Sequence, residues 1–458
     1  MTRKASTPAL DKFAPSILSQ LMTMPAMLPE GWHPVTPLHE FANFHAKFWG
    51  KDQSFSVTPL GANGDTGNLG LLKAGTVDSR NRAHFAPRVL HIGIPNITGF
   101  MLIREEYELM YKYLCYHLEQ AREDENAGPP AAVVTGQPGI GKSMWIWYAL
   151  WRRCTQKEPT FVHWEDGKAL LFSEEGVHIV ALEMYRVAEP QVPWALIDAD
   201  RTWQGPPASY FTAAYTIYVS APTRSNWSRA SRLTNLAEFI MNPWSKAEIL
   251  QIAPYYKNVN LSQLHHIFDT YGPTPRLCFQ ISRAPGQLAA YKHDLDEAIN
   301  ATTPQKLLAL FSSKASVFEM DEASLKICLL TRTFNPTNNT EGAGPADESQ
   351  FHSNSTQSLS TLSTLPTSSI TSTSTQSTPS KYIDFITRPT VSPMTDAIAC
   401  RLALHFRTLR ADELIALYHK LGAIPSAKRL AGYVYEAYWQ QHFQQPTNIV
   451  ASPVHHPV

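Results

Sequence analysis

At 458 residues, with 43% hydrophobic side chains, the chain can build one large domain or two or three ordinary ones, each with a buried core. Lysine plus arginine balances aspartate plus glutamate at 39 each, which excludes an overall field towards nucleic acid or an anionic membrane and leaves only a local basic patch. The five cysteines (Cys115, Cys154, Cys278, Cys328 and Cys400) never fall at zinc-knuckle or redox spacing. No apolar run reaches the roughly 18 residues of a spanning helix, and Met1 to Leu28 lacks a signal peptide's apolar block, so the expected location is intracellular, cytoplasmic or nuclear.

Residues 1–100 read as an irregular or small β region. Gly61, Gly64, Gly67 and Gly70 mark turns there, and 88–101 offers one or two short strands. An α/β core is expected over 101–225. It opens with an amphipathic helix at 103–123, on which Tyr107, Met110, Tyr111, Leu114 and Leu118 repeat at three-and-four spacing. A strand at Ala131 to Thr135 leads into a glycine-rich loop and then a helix at Met144 to Arg153, where Trp145, Trp147 and Trp151 are packing residues. Further strands are expected at Thr160 to Trp164, at Ala169 to Phe172 and Val177 to Ala181, which flank a Glu175-Gly176 turn and read as a hairpin or a locally inserted pair, and at Trp194 to Asp198 and Tyr215 to Ser220. That order predicts a mostly parallel, three-layer sheet domain of the P-loop NTPase type.

Residues 226–334 read as a helical lid or winged-helix-like region. Helices are expected at Arg229 to Ile240, Ser245 to Ile252 with a Ser245/Glu248 capping box, Asn260 to Tyr271, Gly286 to Asn300, Thr303 to Phe311 and within Glu322 to Thr331. Residues 335–380 form a Ser/Thr-rich segment too poor in apolar side chains to repay its ordering entropy, and so are expected to be disordered. An α-rich region over 381–443 begins with a strand at Lys381 to Thr387 and continues with helices at Met394 to Thr408, Ala411 to Leu421 and Ser426 to His442. Residues 444–458 form a tail.

The most specific chemistry lies at Gly136-Gln137-Pro138-Gly139-Ile140-Gly141-Lys142-Ser143, which matches the Walker A pattern between a strand and a helix. Glycines let backbone N–H groups close around phosphate oxygens, Lys142 would reach the β- and γ-phosphates, and the Ser143 hydroxyl would ligate Mg2+. Asp198, at the end of an apolar strand, is the matching magnesium residue. Ala199 stands where many such ATPases carry a glutamate, so Asp200 is the candidate that activates water. Ser220 and Arg224 are sensor candidates after the next strand, and Arg276 a charge-neutralising candidate after the Gly272 helix stop; a plain surface or ion-paired arginine is the alternative for both arginines. The seventeen histidines, His265-His266 among them, show no ligand spacing.

The loop, the Leu196-Ile-Asp-Ala-Asp200 strand, Ser220-Ala-Pro222, Asn242-Pro-Trp-Ser245 with Glu248, and Tyr271-Gly-Pro-Thr-Pro-Arg276 occur in an order that resembles the Crinkler-like and retrotransposon-hot-spot-like P-loop ATPases of fungi and protists. The resemblance covers roughly 100–335 and resumes at 381–442. It implies an AAA/STAND-like module, ATP rather than GTP, and a lid position near the nucleotide for Arg276. Relatives often carry a nuclease module, and Leu430-Ala-Gly-Tyr-Val-Tyr-Glu436 looks like its opening helix. No Asp, Glu or Lys follows Glu436, so two-metal phosphodiester cleavage is not expected.

These readings converge on a magnesium-dependent, ATP-binding protein, with an ATPase that couples nucleotide state to its lid and C-terminal region as the leading expectation. A non-enzymatic nucleotide-controlled scaffold and a nucleic-acid-associated ATPase are the alternatives. The expected partners are ATP and a protein of unknown identity, which could be a second copy; charge does not indicate nucleic acid, and no membrane is expected.

Overall fold

Several of the apolar runs are continuous rather than alternating. Ala131 to Val134, Trp194 to Ile197 and Tyr215 to Val219 are almost wholly removed from solvent. Strands of that kind belong in the middle of a sheet covered on both faces. The structure, a computed structural model, describes residues 32–36, 39–51, 57–59, 88–91, 99–124, 128–165, 168–182, 192–199, 205–312, 318, 320–332 and 389–444. Within them it is an α/β domain with a central sheet flanked by helices, followed by a largely helical C-terminal region.

In chain order the first elements are β1 (Trp32–Pro34), α1 (Glu40–Phe48), β2 (Val57–Pro59), β3 (Arg88–Leu90), β4 (Met101–Ile103) and α2 (Glu105–Glu123). The core continues with β5 (Pro130–Thr135), α3 (Lys142–Thr155), β6 (Thr160–Glu165), β7 (Lys168–Ser173), β8 (Gly176–Ala181), β9 (Trp194–Asp198), α4 (Ser209–Ala213), β10 (Tyr215–Val219), α5 (Ala230–Leu233) and β11 (Asn235–Ile240). Then come α6 (Lys246–Ile252), α7 (Leu261–Tyr271), α8 (Pro285–Asn300), α9 (Pro304–Ser312), α10 (Glu322–Ile327), β12 (Cys328–Arg332), β13 (Pro389–Pro393), α11 (Asp396–Phe406), α12 (Ala411–Gly422) and α13 (Lys428–Gln444).

The central sheet has eight strands in the order β1-β8-β7-β6-β9-β10-β5-β11. The block β6-β9-β10-β5-β11 is parallel throughout, and β7, β8 and β1 extend it antiparallel at the β6 edge. The sheet is therefore mixed, where a mostly parallel one was expected, and its antiparallel β7-β8 pair is the hairpin expected across the Glu175-Gly176 turn. The short turns between β6, β7 and β8 permit only hairpin pairing, whereas parallel neighbours need a crossover of a dozen or more residues. Helix α3 buries nine of its fourteen residues, Trp145, Trp147 and Trp151 among them, as packing residues should. Two small sheets, β2-β3-β4 and β12-β13, stand apart from the large one.

Two expected helices are corrected. Arg229 to Ile240 is not one helix: α5 lasts four residues, and β11 then pairs with β5 from Asn235 opposite Pro130 to Ile240 opposite Thr135. Glu322 to Thr331 likewise splits into α10 and β12. In both cases backbone pairing with a distant strand outweighs a local helix preference worth tenths of a kcal/mol per residue. The other helices fall close to expectation, and Ser245 with Glu248 forms the anticipated capping box at α6. Residues 333–388, with the Ser/Thr-rich segment and the Lys381 to Thr387 strand, lie outside the described residues, as do Gly61 to Gly70 and 445–458.

The C-terminal helices dock on the region after the core. Thr395 Oγ1 donates to the Thr270 carbonyl at 3.0 Å, and Gly272, whose φ of 132° favours glycine, lies against the Met394 side chain. Among the described residues, no helix is long and apolar enough to cross a membrane.

Candidate functional site

The loop Gly136 to Ser143 joins the end of β5 to the start of α3. Gly136, Gly139 and Gly141 take φ values of 146°, 79° and 94°, which L side chains rarely adopt. At Gly136 a Cβ would also stand 2.6 Å from the Met241 carbonyl oxygen, so both conformation and space demand glycine. Gly141 caps α3, leaving the first-turn N–H groups of that helix without a side-chain acceptor. Lys142 Nζ donates to the carbonyls of Gly136 at 2.9 Å and Gln137 at 3.0 Å, and so lies across the loop it belongs to. Ser143 is exposed at the helix start.

Neighbouring elements hold the loop by directional bonds. Tyr107 of α2 donates its hydroxyl to the Gly141 carbonyl at 2.8 Å, and Trp244 Nε1 donates to the Ile140 carbonyl at 2.7 Å. Behind Trp244, Arg104 is wholly buried. Its Nε donates to Glu248 Oε1 at 2.8 Å, its Nη2 to the Pro243 carbonyl at 2.9 Å, and its guanidinium lies 4.8 Å from the Trp244 ring centroid. Burial works against the Arg104 charge, but the Glu248 carboxylate more than compensates and raises the guanidinium above its ordinary range. Burial likewise pushes the Tyr107 hydroxyl up, so it stays a donor at any physiological pH. Gln137, although part of the loop, is 1% exposed and turns its side chain away towards β12.

The other candidates stand around this centre. Ser220 N donates to the Val134 carbonyl at 3.0 Å, which places Ser220 beside the end of β5; its buried hydroxyl accepts from Asn226 Nδ2 at 3.0 Å. Asp198 closes β9 opposite Val219 of β10, which in turn lies opposite Val134 of β5. It is thus two strands, roughly 10 Å, along the same carboxyl edge. Arg276 opens the π turn Arg276–Gln280 against the loop, where a Cβ on Gly139 would fall 2.9 Å from its own Cβ. Arg224 is exposed at the start of the turn Arg224–Asn226. Asp200 lies outside the described residues.

The fold therefore gathers the loop, Ser220 and Arg276, with Asp198 further along the same edge. Sequence reasoning missed Tyr107, Trp244, Arg104 and Asn226 as site residues. Tyr107 carried only a helix-face signal, and the others acquire their partners through the fold. Among the described residues, no three His, Cys, Asp or Glu side chains gather as a metal cluster.

Fold and site together define an α/β protein whose glycine-rich loop links an inner strand of the large sheet to a helix. No protein-family model matches the chain. Crinkler effector protein 15 and Crinkler effector protein 16 of Phytophthora infestans are each 29% identical to it over 154 residues, 32% of this chain and 24% of the relative. The chain thus spans about a quarter of the length of these curated relatives, and the similarity is weak and partial.

Proposed function

We propose that the protein binds ATP with magnesium at Gly136 to Ser143 and acts as a P-loop ATPase of the AAA/STAND-like class. The observation that carries this reading is the loop itself: left-handed glycines at three positions, a helix N-terminus without a side-chain cap, and a lysine ammonium over the loop carbonyls. Such a cradle offers backbone N–H groups, a helix dipole and a mobile positive charge to phosphate oxygens. The strand order adds support, since β10 lies between the loop strand and the strand ending in Asp198, and β11 flanks the loop strand on its other side. Within this reading Lys142 meets the β- and γ-phosphates, Ser143 and Asp198 hold magnesium, Ser220 and Arg276 respond to the γ-phosphate, and Asp200 orients water. The preference for ATP over GTP rests on the resemblance to Crinkler-like ATPases.

Ala199, directly after Asp198, favours a second reading in which hydrolysis is slow or absent and nucleotide occupancy itself is the switch. Steady-state phosphate release from Mg·ATP by the wild type, Lys142→Ala and Asp200→Asn separates the two. The ATPase reading expects wild-type turnover at least tenfold above both variants. Turnover equal to Lys142→Ala, with ATP still bound, would leave the switch.

A further inference from the structure

Gln137 occupies the second position of the loop, yet both ends of its buried amide are spent outside it. Nε2 donates to the carbonyls of Leu325 and Cys328, the latter at 3.1 Å, and Oε1 accepts from Leu330 N at 3.3 Å. Two residues on, Arg332 N donates to Asn242 Oδ1 at 2.7 Å, and Asn242 stands two residues past the end of β11. Backbone groups of successive strand residues point to opposite edges, so the alternate residues Cys328, Leu330 and Arg332 all turn theirs away from β13. That edge of β12 is completed by two side chains of the nucleotide-site region rather than by another strand. Arg332 tightens the junction, its Nη2 donating to Glu106 Oε2 at 2.9 Å and its Nη1 to the Ile240 carbonyl at 3.1 Å, while Glu106 Oε1 accepts from Asn242 N.

Lys142, meanwhile, holds the backbone carbonyl of the same Gln137. One residue therefore connects the ammonium of the loop, through its main chain, to β12, through its side chain. A triphosphate that draws Lys142 onto its oxygens releases the Gln137 carbonyl, and any backbone adjustment there is carried by a buried, fully used amide into the strand edge.

We infer that Gln137 is a positioning residue that couples the nucleotide loop to the β12-β13 hairpin, so that triphosphate binding changes the hydrogen-bonded state of the hairpin. This rests on the ATP-binding reading above and names the first structural element that the bound nucleotide would move. The residue type fits the role: glutamine alone supplies two donors and an acceptor at this reach without a charge that burial would penalise.

Amide hydrogen exchange over residues 325–332 and 389–394 tests the coupling, in the full chain with and without Mg·ATP at concentrations that saturate each variant. In the wild type, nucleotide should change exchange there at least fivefold. Gln137→Met keeps the side-chain volume and removes all three bonds; it should raise exchange of Leu330 about tenfold without nucleotide and abolish the nucleotide-dependent change, whereas Gln137→Ala should do the same with a larger loss of protection. A nucleotide-dependent change that persists in Gln137→Met, or a wild type that binds Mg·ATP without any change in the hairpin, would overturn the coupling. A wild type that does not bind Mg·ATP would instead overturn the ATP-binding reading, and the coupling with it. Loss of nucleotide binding in Gln137→Met with unchanged Leu330 exchange would make Gln137 a ligand residue and contradict the coupling too.

Discussion

The two ends of the large sheet are held by different physics. At the β7-β8 end, α1 packs on the hairpin through aromatic rings. Phe41 stacks on Trp147 at 5.8 Å, Phe44 meets Phe48 at 4.7 Å, and both Phe41 and Phe44 contact Phe172 at 6.2 Å. At the loop end, Tyr107, Trp244, Gln137 and Arg104 are equally buried, but each commits a polar atom to a particular backbone group or carboxylate. Burial of apolar rings stabilises without fixing position closely, since hydrophobic free energy follows area. Hydrogen bonds to loop carbonyls add less stability but set the loop's shape. The aromatic end is built to hold the fold together, and the loop end to hold one backbone path.

Substitutions at the two ends should act on different properties. The largest effect is expected at Phe172, fully buried among Phe41, Phe44 and His45. Phe172→Ala should cost about 3–5 kcal/mol of folding stability in denaturant melts. Mg·ATP affinity of the folded fraction should stay within threefold of wild type, because the loop's own partners are untouched. A change in affinity above tenfold would show that the two ends are not separable. A smaller and opposite pattern is expected of Trp244→Phe, which keeps an aromatic side chain but removes the donor to the Ile140 carbonyl together with part of the ring that faces Arg104. Its stability loss should be about 1–2 kcal/mol, with Mg·ATP binding weakened about tenfold, equivalent to roughly 1.4 kcal/mol. Equal losses of stability with no effect on binding would make Trp244 an ordinary core residue.

Much of this was legible in the sequence, and the reason differs by element. The loop reads directly because its chemistry is local: eight consecutive residues, a strand before and a helix after. The buried strands β5, β9 and β10 read from unbroken apolar runs, and α6 from its Ser245/Glu248 box. What failed depends on distant partners. Asn235 to Ile240 becomes a strand only because β5 offers it a free edge, and Cys328 to Arg332 only because β13 lies more than fifty residues further along the chain. The clamp around the loop was invisible for the same reason, since the bond from Trp244 to Ile140 spans 104 positions and that from Gln137 to Cys328 spans 191. Arg276 packs against Gly139, a contact that no local pattern in the sequence indicates.

Whether Gly136 to Ser143 holds a triphosphate is decided by an equilibrium titration of the full chain with Mg·ATP, wild type against Lys142→Ala. Lys142 supplies charge-assisted hydrogen bonds worth about 1.5–3 kcal/mol. Saturable, magnesium-dependent binding is expected of the wild type, weakened about tenfold to a hundredfold in a Lys142→Ala protein that remains folded. Equal affinity in the two proteins, or no binding to a folded wild type, would contradict it.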